Sequence, residues 1–295
     1  MIPAGHRRDL AELARAIDRL LEAAAHRERA RTIDTERRGL ERAMRRAFRT
    51  QARAVLAALD PILRRAFPAA PATEARRIRE ADGPDWQAAF DAAADDSREL
   101  VTAPLRRSVP RIMQAAGDAL LGQEGIGGSF TLENPVAVAY LGGGDLKFAD
   151  ELFDGLTDVS RADVARIIQR GVETGASYQT VADELRRKYD SYSNGLIRAG
   201  APQEHIRDRA ELIATTVAGD AYEAATAAAG RQLADAGLVM EKSWLTVGDD
   251  RVDVECEDNE AQGWIPMDDG FRSGHTRPPA HPACRCTALY RRRPG

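Results

Sequence analysis

Apolar residues recur at helical spacing along most of this chain. Leu10, Leu13, Ile17 and Leu20 fall at steps of three and four, and Leu40, Met44 and Phe48 at steps of four. Each set forms one stripe with arginines elsewhere, which predicts long amphipathic helix over the first sixty residues. A sustained heptad is broken around Ala30 to Gly39, so the expected partner is another helix of the same chain rather than a dedicated coiled coil. Prolines then punctuate the pattern: Pro61, Pro68, Pro71 and Pro84 are expected to end or redirect helices. Further helices are predicted at Thr73 to Ala81, Trp86 to Val101 and Val109 to Leu121, with the glycine-rich stretch Gly122 to Gly128 as a boundary. Ser160 reads as the N-cap of a helix carrying Val164, Ile167, Ile168 and Val172, with Asp163 at its third position. Gly175-Ala176-Ser177 reads as a turn, with Ser177 capping a helix that ends on Arg186-Arg187-Lys188. A third helix is expected from about Gln203 to Ala236. After Gly237 the pattern changes to alternation and turns. Leu238 to Met240 and Ser243 to Val247 predict a strand pair, Thr287 to Tyr290 a returning strand, and some forty loop-rich residues lie between. Trp244 and Trp264 are expected to supply much of the apolar packing there. The fold class is mainly α, with a small loop-rich α+β module at the C-terminal end that is clipped by a metal. The division expected is 1–125, 126–237 and 238–295.

Alanine bias and only 5% aromatics agree with a helical chain. No stretch approaches the eighteen or so apolar residues of a membrane span, so no membrane partner is expected and the protein is placed in a cytoplasm. Net charge is −4, but its distribution is uneven. Between His26 and Arg53 there are ten arginines, Arg27, Arg29, Arg31, Arg37, Arg38, Arg42, Arg45, Arg46, Arg49 and Arg53, against four acids. That face could hold phosphates and so contact DNA or a partner. The competing reading, which the spacing of Glu41 and Arg45 favours, is a solvated face with internal i,i+4 pairs. A DNA-reading helix-turn-helix around Gly175 is disfavoured, because Asp183 and Glu184 sit where a groove-entering face should be neutral or basic.

All three cysteines lie in the last forty residues, as Cys256, Cys284 and Cys286, with His281 just before the pair. These four match the four-ligand demand of structural zinc, and a loop-rich segment with little apolar surface needs such a clip. The Cys-x-Cys spacing requires a bent backbone for two thiolates to face one ion. A disulfide from Cys256 to one of the pair, or three thiols that merely pack, are the alternatives. His275 is a spare ligand ranked below His281. Glu257, Asp258 and Glu260 beside Cys256 would supply a base if the site were catalytic, but four protein ligands leave a zinc ion no open position.

The run from Lys242-Ser243-Trp244-Leu245-Thr246 through Asp249-Asp250-Arg251-Val252 to Cys256, then Ile265-Pro266-Met267-Asp268, Phe271, Ser273-Gly274 and Pro278-Pro279-Ala280-His281-Pro282-Ala283-Cys284-Arg285-Cys286, resembles the phage Mu F-like head morphogenesis proteins. With Phe130 to Tyr140, Asp158 to Tyr189 and Arg209 to Ala214, the resemblance covers roughly residues 128 to 290. Many relatives carry histidine where this chain has Cys256, an exchange of one ligand for another. The family's Ala-Arg-Thr-Glu is replaced by Ala214-Thr215-Thr216-Val217, and no function is assigned to those positions. The resemblance implies a nonenzymatic minor capsid protein of a tailed phage or prophage. It would join procapsids in low copy, with the portal protein and other head components as partners and packaged DNA as a further contact. The alternatives are a metal-dependent hydrolase or nuclease at the Cys/His cluster and a DNA-binding protein using the basic helix.

Overall fold

The computed structural model describes residues 4–67, 84–123, 125, 129–142, 148–194 and 209–293, with no side-chain detail for most of 4–22. The stripe at Leu10, Leu13 and Ile17, the helix expected at Thr73 to Ala81 and the start expected at Gln203 therefore fall outside what is described. The chain is mainly helical: α1 (Ala4–Ala66), α2 (Pro84–Asp95), α3 (Arg98–Gln123), α4 (Pro135–Tyr140), α5 (Phe148–Thr174), α6 (Tyr178–Asn194), α7 (Arg209–Asp235) and α8 (Val254–Glu260). Strands β1 (Met240–Leu245), β2 (Ile265–Pro266) and β3 (Thr287–Arg292) form one antiparallel sheet in the order β2-β1-β3. Among the described residues no helix is long and apolar enough to cross a membrane.

Two compact units interleave along the sequence. One comprises 1–37, 109–138 and 216–295, the other 38–108 and 139–215. In the second unit the stripe of α1 is buried as expected: Leu40, Met44 and Phe48 are within 2% of full burial, and Val55, Leu59 and Leu63 continue it. Helix α1 also runs through Pro61 to Ala66, where a break is expected from sequence. A proline so close to the helix end forfeits one hydrogen bond, and the buried Leu59, Leu63 and Phe67 hold the last turns in place. The predicted helix Trp86 to Val101 is instead split at Asp96-Ser97, where the Ser97 hydroxyl donates to the Ala94 carbonyl at 2.6 Å.

Ser160 does not cap a helix. It lies inside α5, buried, with its hydroxyl donating back to the Leu156 carbonyl at 2.8 Å and accepting from Arg209 at 3.1 Å. A mid-helix serine satisfied by the carbonyl four residues earlier carries the same local signature as a cap. Ser177 does cap α6, since its Oγ accepts from the Thr180 N–H at 3.2 Å, and Gly175 makes the preceding turn at φ +63°. Asp163 accepts from the Tyr192 hydroxyl at 2.7 Å and pairs with Lys188 at 3.0 Å. Burial pushes its carboxyl up, but these bonds and the nearby Lys188 and Arg166 charges outweigh that and hold it below the ordinary value of 3.8. A depressed pKa means stability present above 3.8 and lost as the pH falls through the folded value. Asp163→Asn is therefore expected to cost about 1–3 kcal/mol at pH 7, with the difference from wild type closing in strong acid; urea midpoints measured along a pH series check it. A deficit independent of pH would contradict it.

In the first unit, the segments expected to form a strand pair are one strand, β1, because no turn residue interrupts Met240 to Leu245. Its partners come from far along the chain: Lys242 pairs with Ile265 on one edge and with Tyr290 on the other. Trp244 is buried on β1, whereas Trp264 is 36% exposed, with the Arg291 guanidinium 3.8 Å above its ring.

Candidate metal centre

Helix α8 begins where Asp253 caps it, its carboxylate accepting from the Glu255 N–H at 2.9 Å. That start places Cys256 in the first turn and Asn259 one turn on, and both are fully buried on the same face. Asn259 exchanges hydrogen bonds with Ser273, donating to its Oγ at 2.9 Å and accepting from its N–H at 3.1 Å. Glu260 ends the helix by accepting from the Thr246 N–H and hydroxyl, both at 2.8 Å. Cys256 is thus fixed relative to both β1 and the loop beyond it.

The other candidate ligands come from the turn before β3. The Cys284 N–H donates to the His281 carbonyl at 3.1 Å, and Ala283 between them sits at φ +59°. This left-handed residue turns the chain between His281 and Cys284. It is held from outside, since its N–H donates to Thr216 Oγ1 of α7 at 2.9 Å. Two further residues of the same α7 face grip the segment. Asp220 pairs with Arg277 at 2.5 Å, and Glu223 accepts from the Ala288 N–H at 3.0 Å. Arg285 adds a two-pronged pair to Asp249 at 2.7 Å on each arm, which holds the Asp249 carboxyl down at about 2.

The three sulfurs lie within 4.8 Å of one another. Cys256 Sγ is 3.8 Å from Cys284 Sγ and 3.8 Å from His281 Nε2. A disulfide needs about 2.05 Å, so all three cysteines are free thiols. For metal–sulfur bonds of about 2.3 Å, the edge of a tetrahedron is about 3.8 Å, which is the Cys256–Cys284 separation. His281 Nδ1 lies 3.0 Å from the Pro282 carbonyl, which fixes the proton on Nδ1 in the neutral ring and leaves Nε2 with a free lone pair toward the sulfurs. The Trp244 indole N–H is buried without a hydrogen-bond partner, and although the bond from Cys256 lowers Cys286, its bond with Cys284 and burial push that thiol up to about 12. Around the sulfurs pack Trp244, Ile265 and Phe271, the two rings edge to face at 5.1 Å.

Without an ion, the site shares its charge. Hydrogen bonds from the Cys256 and Cys286 thiols push Cys284 far down, and the resulting thiolate pushes Cys256 up. His281, hydrogen-bonded to Cys284, is raised to about 9. A donor set of soft sulfur and imidazole poised in this way fits zinc. The geometry gathers the three cysteines into one group, with His281 Nε2 3.8 Å from Cys256 Sγ at its edge. The spare candidate His275 instead places Nδ1 3.0 Å from Ser273 Oγ and 3.2 Å from a Glu255 oxygen. Of the carboxylates weighed as bases, Glu260 is committed to Thr246, while Glu257 and Asp258 are exposed.

Residues 162–289 match the family model described as phage Mu protein F like protein. This stretch is similar to the phage Mu F-like family. The match starts within α5, later than the 128 expected from motifs, and ends in β3. The Mu F-like region therefore contains all four candidate ligands and the α7 face that grips them. No curated protein and no solved structure matches the chain.

Sequence reasoning missed Thr216, Asp220 and Glu223. Their signal was available as polar residues at i, i+4 and i+7 along an alanine-rich helix, but what they hold is 50 or more residues away. Arg29 is engaged by Glu223, Arg37 by Asp34 and Arg45 by Glu41, while Arg27, Arg31, Arg42, Arg46, Arg49 and Arg53 are exposed. Arg38 has a partner of its own.

Proposed function

We propose that this chain is a minor head protein of a tailed phage or prophage, a low-copy structural component that acts near the portal during procapsid assembly. Its C-terminal module is a zinc-clipped contact platform. The observation that carries the reading is that the Mu F-like match encloses the cluster of Cys256, His281, Cys284 and Cys286. When bound, zinc would cross-link α8 to the turn before β3 and do no more. The protein's own residues do the rest: Thr216 holds the bend at Ala283, and Asn259 and Glu260 hold Cys256. Four protein ligands leave no open coordination position, and the adjoining carboxylates are either committed elsewhere or exposed, which supports a structural role over a hydrolytic one.

Quantitative mass spectrometry of purified particles and procapsids, reporting copies of this chain relative to the portal protein, tests the assembly reading. A few copies per particle is the expected result, and absence from both would overturn it.

A further inference from the structure

The basic run Arg186-Arg187-Lys188 belongs to the second compact unit and plays no part in the metal centre. In the fold it divides between two grooves, one on each side of α6. On the α1 side, Arg186 faces Arg49 and Arg53 across a groove of about 300 Å³ floored by Ala52 and Leu56. On the α5 side, Arg187 and Lys188 join Arg166 and Arg170 around a second groove of about 240 Å³.

The acids at this surface are largely spent. Asp163 pairs with Arg166 and Lys188, Glu184 with Arg170 at 3.0 Å, and Asp183 with Arg186 at 2.7 Å. Asp190 is exposed at the rim of the first groove. Seven lining cations therefore meet three lining carboxylates, with Asp183 and Asp60 beside Arg186, on a chain whose net charge is −4. Arg49, Arg53 and Arg187 are exposed and make no ion pair among the described residues. The acids that argue from sequence against nucleic acid at α6 are thus neutralised by their neighbours.

The two grooves lie on either side of α6, and an α-helix with its side chains is roughly 10–12 Å across. The phosphate rows bordering the major groove of B-DNA are separated by about 12 Å. Guanidinium groups match phosphate oxygens in charge and fork geometry. Among the described residues lining the two grooves the one aromatic ring, Tyr189, is buried and offers unpaired bases no stacking surface. We propose that this face of α6, with Arg49 and Arg53 of α1, binds the phosphate backbone of double-stranded nucleic acid without reading its sequence. This goes beyond the assembly role, and it moves the contact expected of the whole N-terminal arginine stretch to that stretch's last two members and α6.

The test is fluorescence anisotropy of the full-length protein with labelled duplexes of two unrelated sequences. Three unpaired cations predict equal affinity for both duplexes and a roughly forty-fold weakening between 50 and 200 mM salt. The variant Arg49→Gln/Arg53→Gln/Arg187→Gln is expected to bind at least tenfold more weakly at 50 mM with a flattened salt slope, while the corresponding lysine triple keeps the slope. Circular dichroism and thermal midpoint should be unchanged in both, since the three side chains are exposed. The control Arg31→Gln/Arg42→Gln/Arg46→Gln should bind like wild type. Wild-type affinity in the first glutamine triple, loss of binding in the control, or polyglutamate competing as well as duplex would each overturn the proposal.

Discussion

Cys284→Ser is expected to abolish stoichiometric zinc binding and unfold the C-terminal module, the largest single-residue effect available in this protein. Cys284 is 97% buried, lies 3.8 Å from Cys256 Sγ and belongs to the segment that brings two sulfurs and an imidazole to α8. Structural zinc sites contribute about 10–16 kcal/mol of apparent binding free energy at neutral pH, and in small modules that energy is folding energy. Besides the grip of α7 the module has a three-stranded sheet with a two-residue edge strand, one turn-rich connection and a modest cluster around Trp244 and Phe271. Losing one of four ligands should release most of the zinc contribution. Elemental analysis should fall from one zinc per chain to well below one, and the tryptophan emission should shift to the red as Trp244 leaves its buried site. A strong chelator should do the same to the wild type, reversibly on adding zinc. Wild-type protein purified without chelator that holds no metal, or a serine variant with native emission and melting, would remove the metal from the account.

The second large effect is expected at Glu223. This carboxylate is completely buried in α7, accepts from Arg29 Nε at 3.1 Å and from the Ala288 N–H at 3.0 Å, and so joins α1, α7 and β3 within one unit. Burial pushes its pKa up, with the Arg29 charge and the bonds from Ala288 and Thr287 opposing that shift. Replacing both partners of such a pair with apolar groups can be nearly neutral, but removing one leaves the other buried and unpaired. Glu223→Ala would strand an Arg29 side chain that is only 12% exposed and orphan the N–H near the start of β3. A loss of about 3–5 kcal/mol is expected in urea denaturation. Glu223→Gln should lose less, because its amide oxygen still accepts from Ala288. In a double-mutant cycle, Arg29→Ala should add little to Glu223→Ala. Additive losses would show that the two side chains do not act as a pair.

The C-terminal arrangement also explains why α7 is so rich in small residues. A Cβ on Gly219 would meet Arg29 at 2.8 Å, and one on Gly230 would meet the Tyr290 ring at 3.0 Å. The helix is bare where α1 and β3 press on it and polar at Thr216, Asp220 and Glu223, where it must hold a bend. Of that polar face, Thr216 lies within Ala214-Thr215-Thr216-Val217, to which no function is assigned from sequence, and its task is to hold the Ala283 N–H.

What this chain determines by sequence alone is what depends on residues near one another. The stripe Leu40, Met44, Phe48 fixes a helical face because 3.6-residue periodicity needs no distant information. The cap at Ser177 and the turn at Gly175 are equally local. The grouping of the three cysteines is legible because cysteine occurs nowhere else, which leaves few ways to build one soft site. The errors have the opposite character. Ser160 shows a cap's local pattern, but Arg209, 49 residues later, accounts for its burial. Pro61 reads as a breaker until the packing of Leu59, Leu63 and Phe67 is weighed against one lost hydrogen bond. The two partners of β1 lie some 20 and 45 residues downstream, and no alternation pattern encodes such a pairing. Charge behaved the same way. The composition of the arginine stretch was plain, but which guanidiniums are consumed by Asp34, Glu41 and Glu223 and which remain exposed beside α6 is a matter of distances, set only when the helices pack.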